Sequence, residues 1–79
     1  MIEFLRGDTM KDYTERLKEL REDNDLKQTD IAKILNTTQQ VYSRYESGTN
    51  ELPVRHLVTL AKFYKVSTDY ILGLNNKKM

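Results

Sequence analysis

Cysteine and tryptophan are missing from this 79-residue chain, and it has one proline, one histidine and three glycines. Without cysteine, neither a disulfide nor a thiolate zinc site can reinforce a small core. Apolar burial alone must stabilise what the length makes a single domain, near the lower end of self-sufficient size. No apolar run approaches the roughly 18 residues of a membrane span. The opening MIEFLRGDT lacks the basic-then-apolar order of a secretory signal. The expectation is a cytoplasmic protein with no membrane partner. Catalysis has little to stand on. There is no thiol nucleophile and no phosphate-cradling glycine loop, and Ser43 and Ser47 lack an evident base. His56 has no second histidine or cysteine near it, so no metal is expected, nor any cofactor. Short helices in so small a chain leave little room for a substrate pocket, and no small-molecule ligand is expected.

Charge of one sign is also scarce overall, with a formal net charge of +1. Its distribution is uneven. Residues 1–26 hold five basic and eight acidic side chains, whereas residues 27–79 hold eight basic and four acidic ones. The basic excess accompanies the stretch Gln28 to Glu46, QTDIAKILNTTQQVYSRYE. That stretch reads as two short helices joined by a tight turn. Ile31, Ala32 and Leu35 share one helical face, and so do Tyr42 and Tyr45. Asn36 suits the left-handed conformation that ends a helix. Thr37 or Thr38 can cap the next one, and Thr37-x-x-Gln40 has capping-box spacing. Ala32 is small enough to let two helices cross closely. The outward face of the second helix carries Gln39, Gln40, Ser43 and Arg44. Glutamine pairs bidentately with adenine, arginine with guanine and serine with either, while Val41 suits a thymine methyl.

This stretch resembles the helix-turn-helix of the lambda-repressor-like (Cro/C1-type, XRE) transcriptional regulators of bacteria and phages. The resemblance rests on Gln28, Ile31-Ala32, Leu35, Thr37-Thr38-Gln39-Gln40, Ser43 and Glu46-Ser47-Gly48. It continues through Glu51-Leu52-Pro53, Leu57, Leu60-Ala61 and Val66 to Gly73. It implies an all-α, five-helix DNA-binding domain with the helix-turn-helix at helices 2 and 3. It also implies an ion pair between Arg21 and Glu46, and pairing of two copies through helix 5 and its flanks. There Tyr70, Ile71, Leu72 and Leu74 are more apolar than one small core needs.

The remaining pattern fills in that frame. Residues 1–10 precede the match and read as an arm packed on a partner subunit, a disordered terminus or an expression remnant. The domain spans 11–74. Helix 1 is predicted from Lys11 or Asp12 to Asn24, with Asp12-x-x-Glu15 at its start. Tyr13, Leu17 and Leu20 form its buried stripe and the remainder is expected in solvent. Helix 2 is predicted over Gln28–Leu35 and helix 3 over Gln39–Ser47, with Gly48 ending it. Pro53 is placed as the first residue of helix 4. Leu57, Leu60, Ala61 and Tyr64 are its buried face. Ser67 caps helix 5, which ends at Leu72. Residues 75–79 are a polar tail expected to fray.

On this reading the protein is a homodimeric regulator, a repressor by resemblance, that binds double-stranded DNA at a palindromic operator. Gln28 would hold a phosphate at the start of helix 2, with Lys27, Thr38, Tyr42, Asn50 and Arg55 as further phosphate contacts. The alternative is an antitoxin-type interaction module that regulates its own promoter, for which only residues 1–10 could serve as an extra partner segment.

Overall fold

The computed structural model describes residues 12–77. The residues 1–10 arm and the last two residues of the tail lie outside this range. Five helices follow in order: α1 (Tyr13–Asp23), α2 (Gln28–Ile34), α3 (Gln39–Ser47), α4 (Val54–Tyr64) and α5 (Thr68–Leu72). No strand occurs among the described residues.

Local chemistry sets most helix ends. The Asp12 carboxylate accepts from the Thr14 N–H at 3.1 Å, and Glu15 accepts from the Asp12 N–H at 3.3 Å. Two otherwise unpaired N–H groups are thereby satisfied. At α2 only half of such a box exists. Asp30 accepts from the Lys27 N–H at 2.8 Å, but an ammonium has no acceptor to offer in return. Thr38, rather than Thr37, caps α3 by accepting from the Val41 N–H at 3.2 Å. Ser67 caps α5 through the Tyr70 N–H at 2.9 Å. Pro53 sits one place before the predicted position. Its ψ of 151° is extended, so it caps α4 instead of opening it. Asn36 (φ 58°) ends the α2 segment in the left-handed conformation, as Gly48 (φ 83°) ends α3. Lys65 does the same after α4 at φ 60°, with no glycine to ease it.

The core gathers one or two faces from every helix. Leu17 and Leu20 meet Ile31, Ala32 and Leu35, then Tyr42, Tyr45, Leu60, Ala61 and Ile71. Shortening such a residue to alanine typically costs about 2–5 kcal/mol. Helix α3 packs on both α1 and α2, and α5 packs on α1 and α4. The Tyr13 hydroxyl accepts from the Leu52 N–H at 3.2 Å and pins the loop after α3. Helix α3 therefore rests on a packed bed of α1 and α2.

One side chain departs from the predicted stripe. Arg16 was expected in solvent with the other charges of α1, yet it is only 4% exposed. Its guanidinium lies 4.0 Å over the Tyr70 ring. It also donates to the Asn76 side chain at 3.2 Å, which ties the start of the tail to α1.

Candidate nucleic-acid interface

Helix α3 divides cleanly into two faces. Tyr42 and Tyr45 turn inward and meet edge to face, with ring centroids 6.3 Å apart. Gln39, Gln40 and Arg44 are exposed on the opposite face, and Ser43 is half-buried beside them. Val41 is half-buried and packs on the core, so it presents only part of its side chain outward.

Beneath the exposed glutamines runs a chain of hydrogen bonds. Arg21 donates to Glu46 twice, from Nε to Oε2 at 2.7 Å and from Nη2 to Oε1 at 3.1 Å. Its third nitrogen donates to the Leu26 carbonyl at 3.0 Å. One guanidinium thus ties together α1, the loop into α2, and α3. The geometry is the fork-on-fork arrangement that favours arginine over lysine. Breaking a buried pair of this kind from one side costs about 3–5 kcal/mol. Burial acts to raise the Glu46 carboxyl, but the Arg21 bonds, with the Gln28 bond and the Arg21 charge, outweigh it and hold the carboxyl below its ordinary value. Arg21 is raised, chiefly by its hydrogen bonds to Glu46.

Gln28 extends the chain toward the surface. Its Nε2 donates to Glu46 Oε1 at 3.0 Å, and its Oε1 accepts from Gln39 Nε2 at 2.7 Å. The sequence placed Gln28 on a phosphate. The structure adds that the same side chain bridges the ion pair and the first residue of α3.

Tyr42 requires a correction. It is 0% exposed, so its hydroxyl cannot reach a phosphate. The hydroxyl points toward Glu46 without the geometry of a hydrogen bond, and the Tyr64 hydroxyl is likewise buried and unpartnered among the described residues. Burial first, then the Glu46 charge, push both phenols up and keep them protonated.

Lys27, Thr38, Asn50 and Arg55 are all exposed. The Thr38 oxygen is used in capping, but its proton remains available to donate. A shallow polar hollow of about 290 Å³ lies between Lys18, Arg21, Gln28, Ser43, Glu46 and Ser47. Lys18 was not among the predicted contacts. Its spacing of three from Arg21 puts both on one side of α1, and that was the available signal.

A family model described as helix-turn-helix matches residues 17–71. The chain belongs to this helix-turn-helix family. Among similar proteins, the uncharacterized HTH-type transcriptional regulator YobD of Bacillus subtilis is 38% identical over 64 residues, covering 81% of this chain and 57% of YobD. YqaE of the same organism, another uncharacterized HTH-type transcriptional regulator, is 34% identical, covering 85% of this chain and 59% of its own length. A crystal structure of a transcriptional regulator from Listeria innocua superposes with a TM-score of 0.76 at 28% identity. That match covers 82% of this chain and 61% of the Listeria chain. The chain thus spans less than two thirds of the relatives it matches.

The helix-turn-helix domain has a second face of interest, apolar and away from α3. Of the four residues expected to pair two copies, Tyr70 and Ile71 belong to the core of one copy, with Ile71 fully buried. They leave little or no surface for a second copy to contact. Leu72 and Leu74 are exposed, and Val54, which the sequence did not single out, is 73% exposed and shares a hollow with Leu72. An apolar hollow of about 450 Å³ opens here, lined mainly by Tyr13, Leu52, Pro53, Val54, Leu57 and Leu72.

Proposed function

We propose that this chain binds double-stranded DNA as a homodimer in the cytoplasm, lays α3 in the major groove, and represses transcription from a palindromic operator. The observation that carries the reading is the division of α3. Gln39, Gln40 and Arg44 stand exposed on a helix whose other face is locked by two buried tyrosines. Glutamine and arginine match the major-groove edges of adenine and guanine. Exposed Lys27, Thr38, Asn50 and Arg55, with Gln28 and Lys18, are the proposed backbone contacts, which position the protein without reading sequence. Tyr42 is not among them.

Family membership, and relatives named as transcriptional regulators, support the same reading. One domain reads too few base pairs to be selective, which favours two copies on half-sites about 34 Å apart. The test is selection of bound sequences from a random duplex pool. A two-fold symmetric consensus is expected, with affinity that falls steeply as salt rises. Recovery of no consensus at any salt would overturn the proposal.

A further inference from the structure

We propose that Glu46, on the inner side of α3, determines which base Gln39 reads, by fixing the direction of the hydrogen bonds in the Glu46–Gln28–Gln39 chain. This rests on the reading of α3 as the base-contacting helix. A glutamine amide has a donor end and an acceptor end of nearly the same shape, so a chain of two glutamines can run either way. A carboxylate is different, because when ionised it only accepts. Glu46 is held ionised by the two Arg21 hydrogen bonds, and its side chain is 6% exposed. Gln28 must therefore turn its NH₂ inward to Glu46, at 3.0 Å. Its carbonyl then faces α3 and accepts from Gln39 Nε2 at 2.7 Å.

The consequence appears at the surface. One N–H of Gln39 is committed to Gln28. What remains to face outward is a carbonyl oxygen and one N–H, an acceptor beside a donor. That pair complements adenine, whose N6 donates and whose N7 accepts. Run in the opposite direction, the chain would engage the Gln39 carbonyl and leave two N–H donors outward. Two donors suit guanine, which offers the acceptors O6 and N7. The negative charge of Glu46 thus selects adenine over guanine from inside the domain. Glu46 is a positioning residue, and Arg21 supports it by keeping it charged and in place.

The experiment compares four proteins on duplexes drawn from the selected consensus, changing one A·T pair at a time to G·C. The wild-type protein should prefer adenine at the position read by Gln39 by about 5- to 150-fold. Glu46→Gln and Gln28→Leu should each bring that ratio toward one while preferences elsewhere persist. Their effects on it should not add, because they cut one chain. Gln39→Ala marks which position is concerned. Glu46→Gln disturbs the ion pair and could unfold the domain, which circular dichroism would reveal. Gln28→Leu leaves Arg21–Glu46 intact and then decides alone. A ratio unchanged in Gln28→Leu, or in a folded Glu46→Gln, with Gln39→Ala still relaxing it, overturns the inference and leaves the role of α3 standing. If Gln39→Ala itself changes no base preference, α3 is not read as proposed and the inference falls with it. Uniform weakening across all duplexes by Glu46→Gln would make Glu46 structural only.

Discussion

His56 shows how one buried side chain links composition to solution behaviour. It is 7% exposed, and its ring meets Tyr45 edge to face with centroids 5.8 Å apart. Burial first, and then the neighbouring charge of Arg55, hold its pKa below the usual 6.5. The folded protein therefore prefers neutral imidazole, while the unfolded chain takes up a proton near 6.5. Between the two values the unfolded state binds more protons, so stability rises with pH there. The contribution of His56 is complete above pH 6.5 and is lost as pH falls through the lower folded value. Thermal midpoints measured from pH 7.5 to 5 should decline in the wild-type protein and decline less in His56→Phe, which keeps the ring packing. Parallel profiles would show that His56 does not carry the dependence. At this scale some residues were legible in the sequence and others were not. Asn36 and Gly48 announced their left-handed backbone through residue type alone. Arg16 did not, because nothing local to α1 reveals that Tyr70 and Asn76 will cover it. The same holds for the bond from Gln28 to Gln39, which depends on how two helices cross.

Among the helices, α2 carries the clearest local weakness. Lys27 occupies the capping position and cannot accept from the N–H groups that α2 leaves unpaired. Asp30 partly compensates by accepting from the Lys27 N–H. The observed position also has a functional side, since an exposed ammonium at a helix start sits where a phosphate would bind. Lys27→Ser separates the two roles. The serine oxygen should cap α2 and raise stability by about 1 kcal/mol in urea unfolding. The same change should lower the slope of log affinity against log salt by about 1, because one neutralised phosphate is lost. Higher stability with an unaltered slope would place Lys27 outside the interface. A drop in stability would mean that the lysine stem, and not its missing cap, matters to α2. Helix boundaries elsewhere were legible to within a residue or so because capping chemistry is local. Pro53 stands one position before the predicted one, with an extended ψ, next to Leu52, whose N–H is bonded to Tyr13 across 39 residues, a contact that local sequence does not reveal.

For the whole molecule, the proposed dimer requires a surface on which two copies can meet. The sequence marked Tyr70, Ile71, Leu72 and Leu74 by their apolar character, but period and composition do not say which side of a five-residue helix faces inward. Folding sends Tyr70 and Ile71 into the core and leaves Leu72 and Leu74 outside. Val54 and Leu72 border an apolar hollow, so that protruding side chains and a recess share one face, with Leu74 two residues beyond Leu72. A two-fold interface needs such self-complementarity, because the same patch serves both partners. Glutamate at Val54 and Leu74 together would place like charges across the axis. Both residues are well exposed, so the isolated domain should lose no more than about 0.5 kcal/mol per site. Sedimentation should then show a monomer where the wild-type protein is expected to be a dimer. Operator affinity should fall by about 10²- to 10⁴-fold, toward that for a single half-site, because the second contact no longer gains from the first. Half-site binding itself should be nearly unchanged, since no residue of α3 lines this hollow. A dimer that persists, with operator affinity intact, would move the pairing surface away from Val54 and Leu74.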